Sequence, residues 1–124
     1  MPTRIQVIRA NDFVRARPEG HLDLEGSGRV LDGIMDAVAD LPTCSVVLDT
    51  RKAQVNVSAF DLWFLAQRLA EHRNGCVPKM AVLCPQERFD RARFFALCAV
   101  AHGFRVRPFT SYEDAMEWLI LDDA

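Results

Sequence analysis

Residues equipped for chemistry are few in this chain and widely spaced. Cys84 ends the apolar run MAVLC, where a thiol could act as a nucleophile at the end of a strand. Pro85 follows it and removes one backbone N–H that an oxyanion or phosphate cradle would use. His21, His72 and His102 stand in separate contexts, and Asp49, Asp61 and Asp90 have no spacing that fixes acid–base work. The four cysteines, Cys44, Cys76, Cys84 and Cys98, include no C-x-x-C pair. A zinc site built on His72 and Cys76 lacks a second spaced pair, so thiols packed as small hydrophobes are expected. No catalytic residue, metal ligand or cofactor is therefore assigned.

Anion binding has better material. Arg51 and Lys52 follow the run SVVLD, Ser58 opens the next helical segment, and Arg88 lies in the first turn of the one after that. In an open α/β sheet such positions gather at the carboxyl edge, where ligands bind. Helix N-termini there add free N–H groups and a favourable dipole. No glycine-rich cradle accompanies them, and EGSG at 25–28 is too short to serve as one. The simpler reading is of solvated loop charges, with Arg88 or Arg91 pairing Glu87 or Asp90. Ser58 with Asp61 also fits a capping box, in which the hydroxyl accepts from a free N–H of the first turn. Thr110 with Glu113, or Ser111 with Asp114, fits the same device.

The elements that must position these groups follow from periodicity. RIQVIRA (4–10) alternates in part, and FVRAR (13–17) alternates more cleanly; the short Asn11–Asp12 link predicts an antiparallel hairpin. EGHLDLEGSG is turn-rich and opens a helix capped by Ser27 or Asp23, in which Val30, Leu31, Ile34, Val38 and Leu41 recur until Pro42. SVVLD and KMAVLC are unbroken apolar runs, as expected of interior strands covered on both faces. Helices are predicted over 58–73, from Pro85 to His102 with Gly103 past its end, and over SYEDAMEWLI; FRVRPF is the last strand. The order ββα, βα, βα, βα predicts a mixed, mostly parallel sheet with right-handed crossovers, one α/β domain over residues 1–124.

Two of these helices are more apolar than one core stripe requires. Advancing the second by about 100° per residue from Phe60 gathers Leu62, Trp63, Leu65, Ala66, Leu69 and Ala70 on one arc. Phe60 and Phe64 fall outside it, among Gln67, Arg68 and Glu71. On the third helix Phe89, Ala92, Phe95, Ala96, Ala99 and Val100 make the core arc, and Phe94, Leu97, Cys98 and Ala101 a second face. An adjacent helix would cover the second face within one chain. Large aromatics on a polar face instead point to an interface, for which Phe60, Trp63, Phe64, Phe94 and Leu97 are the candidates.

Bulk properties narrow the classes further. At 124 residues the chain has the length of one core, and its net charge of −2 gives nucleic acid no basic surface. The apolar runs are too short to span a bilayer and the N-terminus lacks a secretory pattern, so the cytoplasm is the expected compartment.

The element order, with VVLD running into a loop and helix, resembles the STAS domain group of anti-sigma-factor antagonists. It resembles more closely its SpoIIAA-like branch, which is grouped with the CRAL-TRIO lipid-transfer domains. KMAVLCPQERFDRARFF, AHGFRVRPF and FTSYEDAMEWL carry the likeness, which covers nearly the whole chain. The resemblance implies a noncatalytic domain that binds a protein partner through the loop and helix after the central strand. In the sigma-regulating members that helix begins Asp-Ser-Ser/Thr-Gly, with the second hydroxyl phosphorylated. An ungapped match places Val57, Ser58, Ala59 and Phe60 there, with alanine at the acceptor, so no intact phospho-acceptor motif is expected. The expected function is a regulatory interaction domain, as a homodimer or with another protein. A carrier of a small amphipathic or lipid-like ligand and an anion-using enzyme are the alternatives.

Overall fold

The computed structural model describes residues 7–9, 13–39, 45–71 and 79–120. Strands β1 (Val7–Arg9) and β2 (Phe13–Ala16) pair antiparallel, with Val7 opposite Ala16 and Arg9 opposite Val14. Helix α1 (Leu24–Val38) leads to β4 (Ser45–Asp49), α2 (Ala59–Glu71) to β6 (Lys79–Leu83), and α3 (Phe89–Ala101) to β7 (Arg105–Phe109). Helix α4 (Tyr112–Ile120) closes the described chain. The main sheet runs β1-β2-β4-β6-β7, parallel everywhere except at β1–β2. It is the mixed, mostly parallel sheet that the alternation of strand and helix predicts, with SVVLD and KMAVL as interior strands.

Each step from β2 to β4 to β6 to β7 moves one place in the same direction. Right-handed crossovers therefore put α1, α2 and α3 on one face of the sheet. That face is the larger core: Val14, Val46, Leu48, Met80, Val82 and Val106 meet Ile34, Leu65, Leu69 and Phe95. The alternate strand residues Val47, Ala81 and Leu83 point the other way, against Ala115 and Leu119 of α4. Interior strands must be apolar on both faces in such a sandwich, which is why neither run alternates.

Local rules set the ends of these elements. Asp23, one of the two cap candidates, accepts from the Gly26 amide at 2.8 Å and starts α1. Gly103 has φ of 91°, and the Phe104 amide turns back to the Ala99 carbonyl at 3.1 Å, closing α3 as its place past the helix predicts. Ser111, not Thr110, caps α4 through a 3.3 Å bond from the Asp114 amide. A 3-10 turn (Gln86–Arg88) precedes α3, so that helix begins later than Pro85 alone suggests. Lys79, although buried, donates to the Trp118 carbonyl at 2.5 Å, and its ammonium lies 4.6 Å from the centroid of that indole.

Two strands were not predicted. β3 (Gly20–Leu22) lies in the segment read as a turn and β5 (Ala53–Val55) in the loop after SVVLD; they pair in parallel as a second, two-stranded sheet. At three residues each they carry too little alternation to register as strands. Their pairing depends on the β2 and β4 ends being brought side by side. Leu41, Pro42, Cys44, His72 and Cys76 lie outside the described residues.

Candidate functional site

The carboxyl ends of β4 and β6 are organised by a chain of polar contacts. Asp49, buried at the end of β4, receives the Arg51 guanidinium on both oxygens at 2.9 Å and the Arg51 amide at 3.1 Å. Arg17, at the end of β2, lies 3.8 Å from the same carboxylate. Burial acts to raise the Asp49 pKa, but the bonds from Arg51 and the charges of Arg51 and Arg17 outweigh it and hold it below the ordinary carboxylate value. The hydrogen bonds that Arg51 donates to Asp49 likewise raise the Arg51 pKa. The next residue, Thr50, donates its amide and its hydroxyl to the Leu83 carbonyl at 2.9 and 2.7 Å, extending the β4–β6 pairing past the ladder.

Of the anion candidates, Arg88 donates to the Thr50 carbonyl at 2.8 Å, while Arg51 is engaged by Asp49. Lys52 is exposed in the turn after β4. Ser58 and Asp61 form the reciprocal capping box at the start of α2: the Asp61 amide donates to Ser58 Oγ at 3.1 Å, and the Ser58 amide to Asp61 Oδ2 at 3.0 Å. Arg88 and Arg91 do not pair with Glu87 or Asp90; both turn to main-chain carbonyls, Arg91 to that of Val57. A guanidinium has donors to spare for a main-chain carbonyl outside the helices and ladders, even for that of Thr50, which also accepts from the Ala53 amide at 3.0 Å.

Arg88 and Arg91 border a cavity of about 90 Å³ between the helices and the β4–β6 edge. Its floor is apolar, with Leu31, Leu48, Val57, Leu62, Val82 and Phe95, and Thr50 and Cys84 reach it from the strand ends. Burial pushes the Cys84 thiol up, the Arg88 charge only partly opposing it, and Sγ lies 3.7 Å from the Phe109 carbonyl. That thiol lacks the depressed pKa that a nucleophile needs. Cys98 is half-buried and packs against the core. Among the described residues no three His, Cys, Asp or Glu side chains are grouped as a metal ion would require.

A second feature lies on the outside of the helical layer. Phe60, Trp63 and Phe64 of α2 are 58%, 43% and 46% exposed, and Phe94, Leu97 and Val100 of α3 are 39%, 61% and 52% exposed. Phe60 and Phe64 stack with centroids 4.9 Å apart and planes 14° apart, and Trp63 meets Phe64 edge-on at 5.4 Å. Two of these residues correct the helical count, which put Trp63 and Val100 on core arcs. Arg68 binds Asp32 of α1 through both oxygens. Ala66 and Ala70 pack into the core, whereas the bulkier indole of Trp63, at the margin of the arc, stays partly exposed against Phe60 and Phe64. On α3 the buried residues are Phe95, Ala96 and Ala99, with Cys98 half-buried. The inward stripe is thus rotated away from Val100.

Periodicity pointed to the two phenylalanines, but not to the cavity. Arg91 and Thr50 came together only through contacts between residues more than thirty positions apart in sequence, which no local pattern encodes.

No family model matches the chain, and no curated protein does. Among solved structures it is similar to an uncharacterised protein of the DUF3478 family, with a SpoIIAA-like fold, from Shewanella loihica PV-4. The two share 17% sequence identity and superpose with a TM-score of 0.57 over 94% of this chain and 93% of that one. The fold is therefore SpoIIAA-like. No helix among the described residues is long and apolar enough to cross a membrane.

Proposed function

We propose that this protein is a noncatalytic interaction domain that associates with a second copy of itself through the outer faces of α2 and α3. The carrying observation is the three-ring cluster of Phe60, Trp63 and Phe64, whose rings contact one another while remaining about half exposed. With the apolar residues of α3 the face exposes on the order of 500 Å² of apolar surface, taking ~150–250 Å² for each aromatic. That is near the upper end of what a monomer shows and a large part of the ~800 Å² that each partner gives to a standard interface. A two-fold contact would cover the same patch on both subunits at once. Aromatic residues are enriched at protein interfaces, which suits a like aromatic face as the partner. A regulatory role in the cytoplasm accords with this reading.

A lipid carrier finds less support: the apolar cavity of about 90 Å³ falls short of the ~300–1,000 Å³ of drug-sized ligand pockets, and the larger cleft of about 450 Å³ is lined by Gln67, Arg68 and Glu71 as well as by Leu24, Phe64 and Leu65. Sedimentation of the wild type against Phe60→Glu with Phe64→Lys tests self-association. A dimer reduced to a folded monomer supports it, and a wild type already monomeric at high micromolar concentration overturns it.

A further inference from the structure

The cavity at the β4–β6 edge is a void that the chain neither fills nor equips for water. Protein interiors pack to crystal-like density, with few voids larger than a water molecule. Here about 90 Å³ stands open beside Leu48, Leu62, Val82 and Phe95, and Leu22 and Val55 of the small β3–β5 sheet complete the wall. The surface that faces this space is almost wholly apolar. Polar neighbours are spent elsewhere: Thr50 Oγ1 on the Leu83 carbonyl, Arg88 on that of Thr50, and Arg91 on that of Val57. Ser27 Oγ is sealed off and presents almost no surface. A buried water needs about two to four polar partners, so an apolar cavity of this kind stays dry. An ion or a polar ligand would give up its hydration with nothing to replace it. An apolar guest gives up little and restores to the lining the contacts that a void withholds.

We propose that this cavity is a binding site for a small, uncharged, apolar molecule of roughly three or four non-hydrogen atoms. The volume of about 90 Å³ sets that size, being some three-fifths of the ~150 Å³ cavity that accepts a benzene ring. Such a guest is far smaller than a lipid, so the site is not that of a lipid carrier. It lies between the helices and the sheet, apart from the outer face of α2 and α3, and stands or falls without that face.

Cyclopropane titrated into protein isotopically labelled at its methyl groups, followed by methyl chemical shifts, tests the assignment. Saturable shifts centred on Leu22, Leu48, Val55 and Val82 are expected, with a dissociation constant of about 1 mM for a ligand of so few atoms. Xenon, which also enters dry apolar cavities, should shift the same methyls. Acetamide matches cyclopropane in bulk but carries an amide, and should bind at least about tenfold more weakly for want of any hydrogen bond in the cavity. Benzene should lose about as much because its ring exceeds the space. Ala92→Leu, which fills the cavity from α3, should abolish cyclopropane binding while keeping a folded spectrum. No saturable shift with cyclopropane or xenon overturns the proposal. Acetamide or benzene binding as tightly as cyclopropane, or undiminished cyclopropane binding to Ala92→Leu, overturns it as well. If Ala92→Leu fails to fold, the ligand series on the wild type still decides.

Discussion

The carboxyl edge of β4, ending at Asp49, and α2, starting at Ala59, are neighbours in the sequence and are built on opposite rules. At the edge, charged and polar groups are matched within the chain: Asp49 takes Arg51 and Arg17, Thr50 takes Leu83, and Arg88 takes Thr50. On α2, Phe60, Trp63 and Phe64 are matched only to one another, and about half of each ring still meets water. A polar group taken out of water must find its partner inside the fold, or folding bears the full desolvation cost. An apolar group left in water carries a smaller, distributed cost that a partner molecule can remove. Side chains at the edge therefore report how the protein is built, whereas those on the α2 face report what it meets.

The sharpest way to break this contrast is to test α2 against itself, one face at a time. Leu69 is fully buried on the inner face, so Leu69→Ala should cost about 3 kcal/mol through lost burial and an incompletely collapsed cavity. Urea denaturation reads the loss as a lower midpoint at unchanged slope. A cost below that of an ordinary surface change would mean that the inner face is not the core.

At the strand edge a smaller effect is expected, with a pH signature. Asp49→Asn removes a buried carboxylate from a half-exposed Arg51 and should cost about 1–2 kcal/mol, discounted for that exposure. The sign follows from linkage. The Asp49 pKa is lower folded than unfolded, so its contribution is complete above the unfolded value, near 3.8, and is lost as pH falls through the folded one. Thermal unfolding from neutral pH down to pH ~2 should show a shallower acid limb in Asp49→Asn than in wild type. Parallel limbs would separate Asp49 from acid stability.

Local devices were legible in the sequence wherever neighbours in the chain sufficed. Ser58–Asp61, Gly103 and the unbroken runs of β4 and β6 each carry their reason within a few residues. β3 and β5 lie outside that class, because a strand of three residues acquires meaning only beside its partner. So do the turn of Arg91 toward Val57 and the exposure of Trp63 beside Phe60 and Phe64. The helical wheel treats an arc margin as one angle for every residue type, whereas bulk decides which residues fit there. The stacked phenylalanines were legible because their surplus over one core stripe is itself a local pattern.

The Ser58 cap provides the third test, at a site where edge and face meet. Ser58→Ala should cost about 1 kcal/mol and Ser58→Asp little, since aspartate also caps. The hydroxyl then serves α2 and carries no switch. Stoichiometric phosphorylation of Ser58 in cells, with a changed set of bound proteins, would reassign this residue from architecture to regulation.

The smallest effect on folding is expected from the most drastic change in chemistry. Phe60→Glu with Phe64→Lys replaces the two most exposed rings of α2 and should alter monomer stability by less than about 0.5 kcal/mol, because exposed positions contribute little to folding. Opposite charges at this i, i+4 spacing favour the helix slightly, acid before base, which offsets the lost stacking. Association should respond in the opposite way, since a two-fold contact would place two such pairs of charges in an apolar interface. Circular dichroism should stay unchanged while the mass in solution halves. If the variant unfolds, the rings belong to the chain's own core and the face is structural. If both proteins remain folded and dimeric, self-association lies elsewhere and the aromatic face must be met by a different protein. Only the separation of fold from mass assigns Phe60 and Phe64 to a second copy.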